Sequence, residues 1–191
     1  MAAFDEAQVI VGSATMYVAP LGTTLPNMDG TLPIVWPAGW EQVGFTDDGV
    51  TFNGAIGMKD IKVDERRAPI RKTIDSEKIT VAAALAEATL ANMHYALPGS
   101  TLTSGADVIH LKGGGSEDFD EVMVGFQGPA PGTNQTRVLV IFKAVNTANL
   151  GMKYQRGDKT VINVEFEALS DTTKPAGEDM YDYADVTASG S

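Results

Sequence analysis

Between Met58 and Asp75 apolar and polar residues take turns along the chain. Ile61 and Val63 alternate with Asp60, Lys62 and Asp64, and beyond them Ile70 and Ile74 alternate with Arg71, Thr73 and Asp75. A period of two is the signature of an extended strand. The intervening Glu65-Arg66-Arg67-Ala68-Pro69 is too charged for any core. The pattern therefore predicts a long β-hairpin, thinly apolar on one face and tipped with charge. A lone two-stranded hairpin is marginal in water, so such an arm needs a surface to lie on, and another subunit is the plainest one.

The same reading runs through the rest of the chain. Ala14 to Ala19 forms a first strand ended by Pro20, and three prolines and three glycines between Leu21 and Gly39 mark a loop, closed by Trp36 and Trp40. These two indoles either pack beneath the loop or present a ligand platform; packing is favoured because aromatic rings bury large areas. Trp40 to Phe52 reads as a hairpin turned at Asp47-Asp48-Gly49. Lys78 to Leu85 alternates, with Ile79, Val81, Ala83 and Leu85 on one face and small residues on the other. Glu87 to Leu97 places Leu90, Met93 and Leu97 on one helical stripe, stopped by Pro98-Gly99. Ser100 to Ala106 reads as loop, and Val108 to Lys112 and Glu121 to Phe126 as strands. Arg137 to Val145 is apolar on both faces, which places it at the centre of a sheet or between subunits. Thr160 to Leu169 points Ile162, Val164, Phe166 and Ala168 inward and Asn163, Glu165 and Glu167 outward. The ends, residues 1–12 and 170–191, lack periodicity and read as arms, the latter acidic and ordered if at all by a neighbour. Many short strands with one helix predict a mainly β fold: an antiparallel β-sandwich or open barrel, one flanking α-helix and a long extended hairpin arm.

At 191 residues the chain fits a single domain, 1–191, able to bury roughly 70% of its unfolded surface. Charge is unevenly placed. Residues 1–58 carry six acids and no bases, residues 59–78 carry seven bases against five acids, and residues 79–191 carry seven bases against fourteen acids, for a net charge of -11. A basic arm on an acidic body suits contact with an acidic surface of another copy; alternatively the charges merely keep an edge hairpin soluble. With no cysteine, thiolate metal sites and cysteine nucleophiles are excluded. His94 and His110 stand on different elements without metal-ligand spacing. No Gly-x-Ser-x-Gly elbow occurs, and Gly113-Gly-Gly115-Ser116 lacks a following Gly-Lys. The acidic clusters miss the calcium-loop ladder, and Arg156-Gly157-Asp158 reads as a charged turn. The expectation is a protein that is no enzyme and holds no cofactor or metal. Lacking a signal segment or membrane span, it should be soluble and made in the cytoplasm.

The order Gly39-Trp40-Glu41-Gln42-Val43-Gly44-Phe45-Thr46-Asp47-Asp48-Gly49, then the charged arm from Ile61 through Lys78 into Ile79-Thr80-Val81, then a short helix, resembles the major tail proteins, or tail tube proteins, of long-tailed non-contractile bacteriophages, in particular those of actinobacteria. Ser13 to Pro20 fits the family's first strand. The similarity covers residues 13 to 169 as an overall pattern. It implies a virion structural protein, made in the host cytoplasm and resident in the tail, whose hexameric rings stack into a tube that delivers DNA. It also implies edge-to-edge closure of strands around the lumen, an inter-ring stacking arm at 54–76 with Lys62, Asp64, Glu65, Arg66, Arg67, Arg71 and Lys72 as its contacts, and tape-measure, terminator and tip proteins as partners. Because DNA carries one negative charge per roughly 1.7 Å of axis, a conduit should be lined with acids, for which Asp60, Asp64, Glu165 and Glu167 are candidates. The tube of a contractile injection machine is one alternative. A virion decoration or carbohydrate-binding β-sandwich resting on exposed Trp36 and Trp40 is the other.

Overall fold

The computed structural model describes residues 8–132 and 135–187; the first seven residues of the expected N-terminal arm lie outside them. Strand content is 47% against 4% helix, with the strands in antiparallel sheets, which makes the chain mainly β, as the periodicity predicts. The strands are β1 (Thr15–Pro20), β2 (Glu41–Gln42), β3 (Thr46–Ile61), β4 (Arg71–Leu85), β5 (Ser100–Ser104), β6 (Ile109–Gly113), β7 (Val122–Pro129), β8 (Gln135–Asn146), β9 (Ile162–Ala168) and β10 (Tyr181–Thr187), with one helix, α1 (Leu90–Ala96).

The centre of the sheet is β8. One of its edges pairs with β7, while the other pairs first with β10, from Gln135 to Ile141, and then with β9, from Ala144 to Asn146. The strand thus belongs to two layers, β2-β1-β7-β8-β10 and β8-β9-β4-β3. Its residues Val138 to Phe142 are buried on both faces, as the doubly apolar sequence requires. Leu139 and Ile141 enter the main core with Met16, Val81, Leu85 and Phe166. Val138, Val140 and Phe142 enter a second core with Ala19, Met123 and Val186. The proline-rich loop covers that second core with Leu25, Met28, Leu32, Ile34, Trp36 and Trp40. Trp36 stacks on Tyr17 at 4.2 Å, meets Trp40 edge-on at 4.7 Å and donates Nε1–H to Gln127 Oε1 at 2.6 Å. Trp40 donates to the Thr24 carbonyl. Both indoles are packing residues.

Gly125 makes this lid possible. A Cβ there would lie 2.5 Å from the Trp36 ring and 3.1 Å from the Leu139 carbonyl oxygen, well inside van der Waals contact.

Four local expectations are corrected. Asp47 to Gly49 does not turn a hairpin; Asp48 and Gly49 have positive φ and form a bulge within continuous β3, between the Asp47–Ala84 and Val50–Ala83 pairs. Ser100–Ser104 is strand, paired with β6 in a small separate sheet. The helix starts at Leu90, capped by Thr89, whose Oγ1 accepts from Asn92 N–H at 3.1 Å, and it buries Asn92 and Ala96 rather than a Leu90–Leu97 stripe. Asn92 is buried because its amide donates to the Val43 and Glu87 carbonyls. Asn146 does the same for Ala96 and Ala148 while accepting from Glu165 N–H. Among the described residues no buried side-chain polar atom lacks a partner.

The fourth correction concerns the acidic tail. Residues 181–187 need no neighbour, for β10 pairs with β8 of the same chain, clamped by a bidentate bridge from Arg137 to Asp185 at 2.5 and 2.6 Å. Arg137 also lies over the Tyr183 ring.

Two outcomes are expected. Gly125→Ala should lower stability by about 1–3 kcal/mol through overpacking, seen as a lower denaturation midpoint and a changed near-ultraviolet signal from Trp36. The hydrogen bond and charge of Arg137 hold the Asp185 carboxyl below its ordinary value. A depressed carboxylate stabilises the fold above its unfolded value near 3.9 and loses that contribution as pH falls through the folded value. The protection factors of the Tyr181–Thr187 amides, each measured against the unfolded chain at the same pH, should therefore fall on acidification below about pH 4, and Asp185→Asn should show the lowered protection already at neutral pH.

Candidate assembly surface

β3 and β4 begin as part of the sandwich and end as a free arm. From Leu85 to Thr80, β4 is hydrogen-bonded to β9 on one side and β3 on the other. From Ile79 to Arg71 its only strand partner among the described residues is β3. The tip, between Ile61 and Arg71, contains one turn closed by Arg66 N–H to the Val63 carbonyl.

The register gives the arm two different faces. Val50, Phe52, Gly54 and Ile56 lie opposite Ala83, Val81, Ile79 and Glu77, so the face that fills the core inside the sandwich continues outward. Gly57 then pairs with Ser76 and Met58 with Ile74, which leaves Asp75 as an unpaired bulge residue. That single extra residue exchanges Asp75 for Ile74 on the core-continuing face. The result is an apolar stripe of Ile56, Met58 and Ile74, exposed at 52%, 62% and 68%. At its root Phe52 meets the rings of Tyr181 and Tyr183 at 5.9 and 5.6 Å. Ile61, expected on the apolar side, pairs with Arg71 on the other face, because it stands three residues beyond Met58, and side chains alternate along a strand.

The charged residues separate accordingly. Lys62, Asp64, Glu65, Arg66, Arg67 and Arg71 are exposed at or beside the tip. Lys72 lies farther in, bridged to Asp60 at 3.2 Å. The four acids expected along a wall are not brought to one face. Asp60 stands in the Met58–Ile74 row and Asp64 at the tip, whereas Glu165 and Glu167 share the outward face of β9, opposite Ala82 and Thr80 of β4. Glu167 accepts from Lys78 at 2.7 Å, and that hydrogen bond raises the lysine above its ordinary value. Lys159 is raised likewise by Asp47, 2.7 Å away. Around Glu165 the surface is small and shallow, with Ala82, Ala84, Thr51 and Asn163 bordering an open depression of about 300 Å³.

His94 Nδ1 lies 2.9 Å from Ser100 Oγ, and His110 stands opposite Thr103 on the small sheet. Asp158 of the Arg-Gly-Asp turn is engaged by the Gln155 amide and the Lys159 N–H. Among the described residues no group of three His, Cys, Asp or Glu could hold a metal ion, and no helix is long and apolar enough to cross a membrane.

A 510 Å³ groove opens beside the arm root, between the loop around Leu25 and the approach to β10. Sequence reasoning missed it because its walls come from residues 25, 77, 142, 174, 175 and 177–182, and no local pattern announces their meeting.

No curated protein matches the chain. The family described as phage tail tube protein matches it over residues 1–183, which takes in strands β1 to β9, the helix, the arm and the start of β10. The match thus spans a mainly antiparallel β fold and a long arm whose outer apolar residues Ile56, Met58 and Ile74 are exposed. The chain belongs to the phage tail tube protein family, and is a structural component of the virion tail.

Proposed function

We propose that the protein polymerises as hexameric rings stacked into a tail tube, and that the arm, residues 54–76, is the contact between successive rings. The observation that carries this reading is the stripe of Ile56, Met58 and Ile74, an outward extension of the core face left in water. Burying such a stripe is favourable by roughly 25 cal/mol per Å² of apolar area removed from water. The tip charges would add orientation rather than much affinity, since exposed ion pairs contribute only about 0–1 kcal/mol each.

Ring closure is supported by the sheet's edges. The outer edges of β3 and β10 carry no strand partner within the described residues, and unpaired edges are templates for strand addition from another chain. Edge-to-edge pairing around a ring would satisfy both and leave a continuous wall. The face bearing Glu165 and Glu167 suits the lumen best. It is smooth, built of small side chains, and presents carboxylates partly balanced by Lys78. DNA would meet weak repulsion and no basic row to grip it, and screening over roughly 8–10 Å would confine that repulsion to the wall. On this reading the tube delivers DNA without binding it specifically, and tape-measure, terminator and tip proteins meet the tube in its lumen and at its ends. The carbohydrate-binding alternative loses its support, because Trp36 and Trp40 are engaged in the second core.

Negative-stain electron microscopy of the purified protein, across concentration and salt, should reveal rings or tubes of uniform diameter. Deleting Asn53–Ser76 should leave a folded monomer by circular dichroism and light scattering; tubes of normal appearance from that variant would remove the arm from the ring contact. Met58→Asp with Ile74→Asp, at exposed positions, should change the melting temperature little while abolishing polymerisation.

A further inference from the structure

Five acids of the chain are held by a base, and two groups of charge that are not so held stand at opposite ends of the arm. Asp47, Asp60, Glu121, Glu167 and Asp185 each bridge a lysine or arginine. Around the groove at the arm root, by contrast, Glu77, Glu178 and Asp182 have no ion pair or side-chain hydrogen bond among the described residues. At the arm tip Lys62, Arg66, Arg67 and Arg71 are likewise without an ionic partner. Asp179 and Lys174 also line the groove, so it carries four acids against one base, and Lys174 lies over the ring of Phe142, which with Leu25 and Met180 forms an apolar floor; the tip is flanked by Ile70 and Ile61, exposed at 54% and 39%.

We propose that the basic arm tip of one copy seats in the acid-walled groove at the arm root of the next copy. This rests on the tube reading and names the acceptor of its arm. The tip cannot reach the groove of its own chain: Arg71 stands six residues along β4 from Glu77, on the order of 20 Å at the rise of a strand. The partner is therefore another copy. Opposite charges fix which end of the arm enters and steer the encounter, while the aliphatic residues beside the tip meet the apolar floor. Because the donated and receiving surfaces differ, the contact is heterologous and repeats from copy to copy.

The test uses the full-length chain and three variants: Glu77→Lys with Glu178→Lys and Asp182→Lys in the groove, Arg66→Glu with Arg67→Glu and Arg71→Glu at the tip, and all six together. Each triple variant should need at least a tenfold higher protein concentration to form tubes, with circular dichroism unchanged, and the sixfold variant should recover polymerisation. A groove variant that polymerises as the native chain does, or a sixfold variant without recovery, would overturn the seat while leaving the tube reading intact. Absence of tubes from the native chain would overturn both. Should charge reversal unfold the domain, the lack of native cysteine permits a second measurement: Arg67→Cys with Glu178→Cys should yield a ladder of disulfide-linked copies on oxidation of assembled protein. Tubes without a ladder would sink the proposal.

Discussion

The burial of β8 on both faces is the constraint from which the architecture follows. Val138 to Phe142 offers no polar side, so apolar material has to be supplied above and below it. A sheet that simply folded over would cover one face; here the loop of residues 21–40 covers the other, with Trp36 wedged against Gly125. The same strand exchanges one neighbour for another near Phe142 and Lys143, where backbone bonds from Phe142 to Met180 and from Leu169 to Lys143 bridge the change. That exchange opens the sheet into two layers and leaves the arm free to run out from one of them.

Fold class was legible because periodicity reports burial directly. Ile162, Val164, Phe166 and Ala168 face inward as their spacing requires, and the doubly apolar β8 is central. What failed was local punctuation. Asp-Asp-Gly is a strong turn signal, but two residues with positive φ serve a bulge as well as a hairpin, and only the pairing of β4 with both β3 and β9 decides between them. Ser100–Ser104 and Tyr181–Thr187 are polar or acidic segments whose strand character comes from a partner: β6 for one, and for the other β8 with Arg137. Asn92 and Asn146 were invisible as core residues, since an asparagine is buried only when backbone groups from several elements converge on it.

The arm was legible in existence and length but not in facing. Its charges stand out in any reading of the sequence, and its family resemblance agrees with the match over residues 1–183. Which residues stand together depends on Asp75, a residue with no signature of its own. The candidate wall acids illustrate the same difficulty, for Asp60 and Glu167 look alike in sequence yet stand on different strands, β3 and β9, and answer to different lysines.

The Asp75 bulge sets a rule of parity for change in this arm. Because side chains switch faces at every step along a strand, a one-residue deletion or insertion between Gly57 and the tip would carry the whole outer stripe to the opposite side. Lengthening or shortening both strands by pairs keeps Met58 and Ile74 facing as they do. Across related chains, tolerated changes in arm length should therefore come in even steps, or in odd steps only where a second bulge appears to cancel the first.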